Sequence, residues 1–443
     1  MEGDAWEYKF FLVTVYYNLF FSVKTIMKIR NYIYILVAMV AAGMVPARAQ
    51  SEVEMMTKMY ADAYDSLINS YYLRQFSHSR LLSSRELSLE EFDAIPDSVI
   101  ANRLASLHTV IPMTFNSEVR SYIRFYLKYM SRRLDVMLSL GQYYHPMFED
   151  ALSRYGVPEE LKYLTIVESA MNPMATSRVG AAGLWQFMYS TGKLYGLEVN
   201  SLVDERRDVY KSTYAAAHFL SDLHRVFNDW TLAIAAYNCG PGNINKAIAR
   251  SGGKHDFWEI YYFLPRETRG YIPAFIAVTY VMNFYQAHGL RPVEVKVPVR
   301  TDTLNLSSDV LLSFVEEYTG VGDEELHTLN PQYRTDYIPA STGSYGLCLP
   351  ISKMELFIAN QDSIYARSRD SLSHRPLTVE PVKRGKGAKA GNSKGGNRYH
   401  TVKKGETLSS LSRQYGVSVQ QLKKMNGLKK DVITVGQRLR IRS

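Results

Sequence analysis

Apolar residues recur at helical spacing from Ser51 to Tyr144, as in Val119, Ile123, Tyr126 and Met130, and Pro and Gly are sparse there, which predicts a helical region. A second helical block runs from Tyr155 to His288. It is punctuated by Gly180-Ala181-Ala182-Gly183, Gly240-Pro241-Gly242 and Ser251-Gly252-Gly253, turn signals between helices of moderate length. Val293 to Val299 alternates in a strand-like way, so a domain boundary is expected near 290. Beyond it a pattern repeats at an offset of 96 residues. Leu312, Val315, Gly320, Val321, Leu326 and Asn330 match Leu408, Leu411, Gly416, Val417, Leu422 and Asn426. Each copy reads as a small β-α-α-β unit, and the whole chain as mainly α.

One helix carries chemistry. Pro158 near its start and Glu159 and Glu160 in its first turn predict a helix over Pro158 to Met171. Leu161, Leu164, Glu168 and Met171 are spaced by three, four and three, so Glu168 lies on the stripe that faces the core. Burial without a cation raises a carboxyl pKa and makes it a proton donor near neutral pH, as a glycosidase general acid requires. The alternative from spacing alone is a Glu paired with a cation such as Arg178, because buried acids are usually paired. Asp204, Glu205, Asp208 and Asp222 lie in a charge-rich stretch and are expected to cover a solvated face.

Charge narrows the partner class. Of the 443 residues, 381–443 hold 16 Lys or Arg and two acids, so the net +9 divides into +14 on the tail and −5 before it. The tail shows no aromatic-studded basic sheet or recognition helix, and no nucleic-acid partner is expected. Residues 381–398, with five Gly, six basic and no acidic residues, read as a flexible linker. Cys239 and Cys348 are too few for a disulfide framework or a four-thiolate zinc site. His218 and His224 are six apart rather than four, and Gly391-Asn392-Ser393-Lys394-Gly395 matches a serine-hydrolase elbow without a strand or helix around it. No metal or cofactor is expected.

At the other end, Met27-Lys28-Ile29-Arg30, the apolar run Tyr32 to Val45 and Ala47-Arg48-Ala49 before Gln50 read as a cleaved signal peptide. Residues 1–26 read as an upstream extension. The apolar run is shorter than a bilayer span needs, and no Cys follows the cleavage site to take a lipid anchor. The mature chain is expected in the periplasm or cell envelope, without an integral membrane span.

Val167-Glu168-Ser169-Ala170, Gly183-Leu184-Trp185-Gln186, Ala236-Tyr237-Asn238-Cys239-Gly240 and Glu267-Thr268-Arg269-Gly270-Tyr271 resemble the successive motifs of the soluble-lytic-transglycosylase family, whose fold is lysozyme-like. With the upstream helices and a tail module, the arrangement resembles the membrane-bound lytic murein transglycosylase D type. Thr401 to Ile441, with Lys404-Gly405-Glu406-Thr407-Leu408 and Met425-Asn426-Gly427-Leu428, resembles a LysM module, and residues 300–350 a degenerate copy.

The resemblance implies six divisions: 1–49 extension and signal peptide; 50–145 N-terminal helices; 146–290 catalytic domain; 291–380 degenerate LysM-like module and spacer; 381–398 linker; 399–443 LysM domain. It implies Glu168 as the single catalytic acid and base on peptidoglycan glycan strands, with Ser169 hydrogen-bonding near it and Gln186 and Asn238 holding sugar groups. Tyr237 packs the cleft floor and Tyr271 lines the cleft and orients Glu168 or the sugar. Trp185, where many members have Met, is read as a stacking face for a sugar or as structural packing. In the tail, Gly405, Thr407, Leu408, Asn426 and Leu428 are the implied glycan-binding positions. The implied reaction cleaves the MurNAc–GlcNAc bond and leaves a 1,6-anhydro end. A hydrolytic muramidase on the same fold and a silent wall-binding protein are the alternatives.

Overall fold

The computed structural model describes residues 89–293, 300–373, 398–402, 408, 411, 419–428, 433–434 and 436–442. The expected signal peptide, the helices before residue 89 and most of the 381–398 linker lie outside them. The chain divides into two units, residues 1–382 and 383–443.

The first unit opens with α1 (Leu89–Asp93), α2 (Asp97–Ala105), α3 (Ser117–Tyr129) and α4 (Ser131–Arg154). Asn116 starts α3 by accepting the Val119 amide at 2.9 Å. A 3₁₀ turn over Glu159–Tyr163 then leads into α5 (Leu164–Ser169), so the predicted helix is present but its acidic first turn is wound more tightly. The series continues with α6 (Tyr189–Leu194), α7 (Val209–Phe227), α8 (Trp230–Cys239), α9 (Pro241–Arg250), α10 (Phe257–Ile260), α11 (Arg266–Arg269) and α12 (Tyr271–Asn283). Asp208 and Asp229 cap α7 and α8 by accepting the amides of Lys211 and Leu232.

Helix α12 is the axis of this body. Tyr271 to Met282 are all buried, which a sequence apolar on every face requires, and α3, α5 and α8 pack around it. Its N-terminal end therefore has a fixed place in the interior.

Past residue 300 the architecture changes to a small mixed module. It comprises β1 (Thr301–Asn305), β2 (Val310–Leu311), α13 (Leu312–Thr319), α14 (Asp323–Leu329), β3 (Tyr337–Ile338), β4 (Gly346–Pro350) and α15 (Ile351–Ser373). Strand β1 pairs antiparallel with β4, Thr303 opposite Cys348, and β2 with β3. Two helices between paired outer strands are the β-α-α-β unit that the repeat predicts. The second unit shows β5 (Arg398–Thr401), α16 (Val419–Asn426) and β6 (Arg438–Arg442), with β5 and β6 antiparallel. Its apolar core holds Val402, Leu408, Leu411, Leu422 and Leu439.

The 96-residue repeat has a structural meaning in its asparagines. Asn330 follows α14, donates to the carbonyls of Leu326 and Cys348 at 2.9 Å each, and accepts the Cys348 amide at 2.8 Å. Asn426, at the end of α16, donates to Leu422 and Arg440 at 2.8 Å each and accepts the Arg440 amide at 2.6 Å. In each copy one amide side chain satisfies the last turn of a helix and an otherwise unpaired strand edge, for which Asn has the right two donors and one acceptor.

Asn330 is fully buried. Asn330→Ala therefore orphans the amide and the carbonyl of Cys348, the Leu326 carbonyl keeping the backbone amide of residue 330, and should lower stability by about 2–4 kcal/mol in urea unfolding. A loss below about 0.5 kcal/mol, the range of ordinary surface changes, would show that β4 is held without it.

Candidate active site

Helix α5 ends immediately after Glu168 and Ser169. Ala170 and Met171 take left-handed φ values of 53° and 60°, with the amides of Ala170 and Met171 returning to Ile166 and Thr165. Non-glycine residues in this region cost about 1–3 kcal/mol each and persist where the surroundings fix them. Gln186 is a third, at φ 47°. Three of the four such residues among those described flank the two candidate site segments.

Glu168, the last residue but one of α5, is half-buried. Burial pushes its carboxyl up from 4.5 to about 7, and the hydroxyl of Tyr271, donating to Oε1 at 2.5 Å, opposes this only in part. Among the described residues no cation lies within ion-pair distance of Glu168. Arg178, the spacing-based partner, is exposed. Tyr271 reaches Glu168 because it is the first residue of the enclosed helix α12.

The loop after α5 is tied to the same place. Ser169 Oγ is fully buried and lies 3.0 Å from the Thr165 carbonyl and 2.9 Å from that of Leu184. The expected hydrogen bond near Glu168 is thus replaced by one that anchors the Gly183–Gln186 loop. Trp185 is also fully buried, its Nε1 donating to Thr213 Oγ1 at 2.9 Å and its ring meeting Phe148 edge-on. The sugar-stacking face expected of Trp185 is excluded by that enclosure, and the ring is a core wall. Gln186 is half-exposed, with Nε2 donating to the carbonyl of Gly183 at 2.8 Å. Tyr237 donates to the Trp185 carbonyl at 2.7 Å. Burial first, and then the charge of Glu168, hold the Tyr237 phenol well above its ordinary pKa.

Asn238 is exposed, and its Oδ1 accepts the hydroxyl of buried Thr268 at 2.9 Å. Thr268, three residues before Tyr271 in the same motif, joins the site through a contact that motif spacing does not single out. The bond joins α8 to α11, the short helix before α12. A separate cavity of about 290 Å³ lies between α4 and the far end of α12, lined by His145, Tyr163 and Met282 among others, and contains none of these residues.

The acidic stretch is a solvated face only in part, Asp208 and Asp222 being half-buried. Asp204 and Glu205 are buried, because the loop that carries them packs against the module beyond residue 300. Among the described residues one group has metal-ligand geometry, Asp323, His327 and Asp336, but both carboxylates are exposed and Asp336 already holds His327 Nε2 at 2.9 Å.

In the tail, Gly405 and Thr407 lie outside the described residues. Leu408 is buried in the small core, which removes it from glycan contact, and Leu428 packs against the same core. Asn426 has both amide hydrogens and its oxygen engaged by backbone. The glycan-binding positions read from the tail are therefore, where described, fold-holding ones.

A helical body that holds a carboxyl with a raised pKa on a helix end, backed by tyrosines, is the arrangement of a lysozyme-like glycan-cleaving enzyme. The chain matches the transglycosylase SLT domain over residues 146–260, the LysM-like domain of lytic transglycosylase MltD over 300–366, and the LysM domain over 400–442. It is 32% identical over 330 residues to the membrane-bound lytic murein transglycosylase D of Escherichia coli K12, covering 74% of this chain and 69% of that one. To the soluble lytic murein transglycosylase of the same organism it is 30% identical over 141 residues, 29% of this chain and 22% of the relative. The solved 70 kDa soluble lytic transglycosylase of E. coli aligns over 50% of this chain and 34% of its own, at 21% identity and a TM-score of 0.32. The chain belongs to the membrane-bound lytic murein transglycosylase D family, and it is a lytic transglycosylase that acts on peptidoglycan. Among the described residues no helix is long and apolar enough to cross a membrane.

Between about pH 4.5 and 7 the folded chain keeps a proton on Glu168 that the unfolded chain has released, so this group makes stability fall as pH rises through that window. His145 and His288, held near 4 by burial, slope the other way. The difference between parent and Glu168→Gln isolates the carboxyl. The variant should gain stability relative to the parent from pH 5 to 7, and a constant difference in chemical unfolding would remove the assignment.

Proposed function

We propose that Glu168 is the single acid and base of a reaction that cleaves the MurNAc-β-1,4-GlcNAc bond and closes a 1,6-anhydro ring on MurNAc. The observation that carries this reading is a carboxyl at about 7, shifted by burial and by Tyr271, with no second carboxylate among the described residues contributing. Glycosidases of the ordinary kinds need a second carboxylate as nucleophile or base. As acid, Glu168 protonates the bridging oxygen. The substrate's N-acetyl oxygen stabilises the oxocarbenium-like centre. The resulting carboxylate then takes the proton of the MurNAc 6-hydroxyl, whose oxygen bonds to its own anomeric carbon, so the bond breaks without water and the proton balance closes on Glu168.

Tyr271 holds the carboxyl in place and donates to its charged form in the second half of the cycle. Gln186 and Asn238, the half-exposed and exposed members of the site, contact sugar groups, with Thr268 fixing the orientation of Asn238. Tyr237 forms the cleft floor. The catalytic domain spans 146–290, following an N-terminal helical region 50–145, and export through a signal peptide cleaved before Gln50 brings it to the envelope.

Products from purified glycan strands decide the reaction. Lytic action gives fragments lighter by one water than hydrolysis, in mass spectrometry, and activity that falls above about pH 7 as Glu168 loses its proton. Fragments carrying the added water would assign a hydrolytic muramidase, and no fragments at all a wall-binding protein.

The tail, residues 399–443, is read as a LysM glycan grip joined by the 381–398 linker, which holds the enzyme at millimolar-order effective concentration near its polymer. Deleting 381–443 should weaken binding to intact sacculi while leaving turnover of short soluble glycans within about twofold. Tail-dependent binding lost at high salt, or kept on a polyanion without N-acetyl groups, would mean plain electrostatic adhesion.

A further inference from the structure

The module at 300–366 has a core it does not build alone. Leu202 and Val203, from the loop before α7, are buried in its apolar cluster. The backbone continues the seam: the Asp204 amide donates to the Gln332 carbonyl, and the Arg334 amide to that of Leu202, each at 2.8 Å. Val203 also bridges Tyr333. This is an intramolecular fusion between two segments about 130 residues apart.

At its centre is Asp204, with no exposed surface. Its Oδ1 and Oδ2 each accept a nitrogen of Arg206, Nε and Nη2, at 2.8 Å, and Oδ2 also accepts Arg334 Nη2 at 2.8 Å. Burial works against the carboxylate, yet the Arg206 fork outweighs it and the pKa is lowered. The third nitrogen of Arg206, Nη1, donates to the carbonyls of Gly180 at 2.8 Å and Phe187 at 3.1 Å, the two ends of the loop that carries Gln186. In the middle of that loop Gly183 lies so close that a Cβ would sit 1.7 Å from the Arg206 carbonyl oxygen. The loop is clamped at both ends and pressed at its centre by one residue, and that residue is held by a carboxylate shared with the module.

We propose that the 300–366 module is a brace for the active-site cleft, and that Arg334, Asp204 and Arg206 are positioning residues that hold the Gln186 loop in its sugar-binding conformation. The inference rests on the reading of Gln186 as a sugar contact. Arg334 acts through Asp204. It limits the freedom of Asp204, Asp204 fixes the guanidinium plane of Arg206, and that plane sets the separation of Gly180 and Phe187. The left-handed backbone of Gln186 needs such external support.

The test is steady-state kinetics of the full chain on a short soluble glycan, with Arg334→Met, Arg334→Lys and Gln186→Ala beside the parent. Arg334→Met keeps the stem of a side chain that is only partly buried and leaves the Asp204–Arg206 pair intact. A loosened sugar contact raises KM, whereas a smaller folded fraction lowers kcat at constant KM. Arg334→Met and Gln186→Ala should each raise KM on the order of tenfold with kcat within about threefold, and Arg334→Lys should recover part of the loss. The fall of activity above pH 7 should keep its midpoint, since Glu168 lies on another element. Should Arg334→Met fail to fold, Arg334→Lys carries the same reading through an intermediate KM. Unchanged KM in the Arg334 variants with raised KM in Gln186→Ala overturns the brace alone. Unchanged KM in Gln186→Ala overturns the sugar contact, and the brace falls with it.

Discussion

The hydrogen bond from Tyr271 to Glu168 is the contact on which the site turns, and it exists because of how α12 is buried. A helix apolar on every face has nowhere to go but the interior, and its first residue is delivered to one point with little freedom. That point is the end of α5, where the chain leaves the helix through two left-handed residues and presents a carboxyl that no cation among the described residues neutralises. Removing water from one face of Glu168 shifts its proton affinity toward neutrality. The neighbouring phenol keeps its ionised form accessible. A carboxyl that is to give and retake a proton needs both conditions, which is what the proposed single acid and base asks of its environment.

Everything else near Glu168 is arranged to make that environment rigid rather than to add reacting groups. Ser169, Trp185 and Tyr237 spend their polar atoms on the backbone of the Gly183–Gln186 loop or on Thr213. Such bonds are made on folding and commit those donors to the fold. The residues that remain exposed, Gln186 and Asn238, are oriented by backbone carbonyls and by Thr268. Burial thus divides the motif residues into those enclosed in the body and those left open to solvent.

The two small modules show the same division. Their shared asparagines, Asn330 and Asn426, replace a missing strand partner and finish a helix in one side chain. They recur at a fixed offset because the fold needs them at that point. The first copy has gone further and taken Leu202 and Val203 of the catalytic body into its core, so that its neighbour in space is a loop far away in sequence.

Much of this was legible in the chain. Helical periodicity, the glycine punctuation and the 96-residue repeat gave the order of elements, because each depends on spacing within a few residues. The apolar stripe placed Glu168 toward the interior, and the motif order identified the enzyme class. Spacing could not say which polar residues turn inward. Trp185 and Ser169 sit in the same motifs as Gln186 and Glu168, and only packing against Phe148, Thr213 and the Leu184 carbonyl decided that they are walls. The acidic run at 204–208 carries the composition of a surface, yet Asp204 is enclosed because Arg206 and a second arginine 130 residues later converge on it. Local sequence determines periodicity and therefore elements. Long-range contact determines burial, and burial is what fixes the proton affinity of Glu168 and the use to which each neighbouring side chain is put.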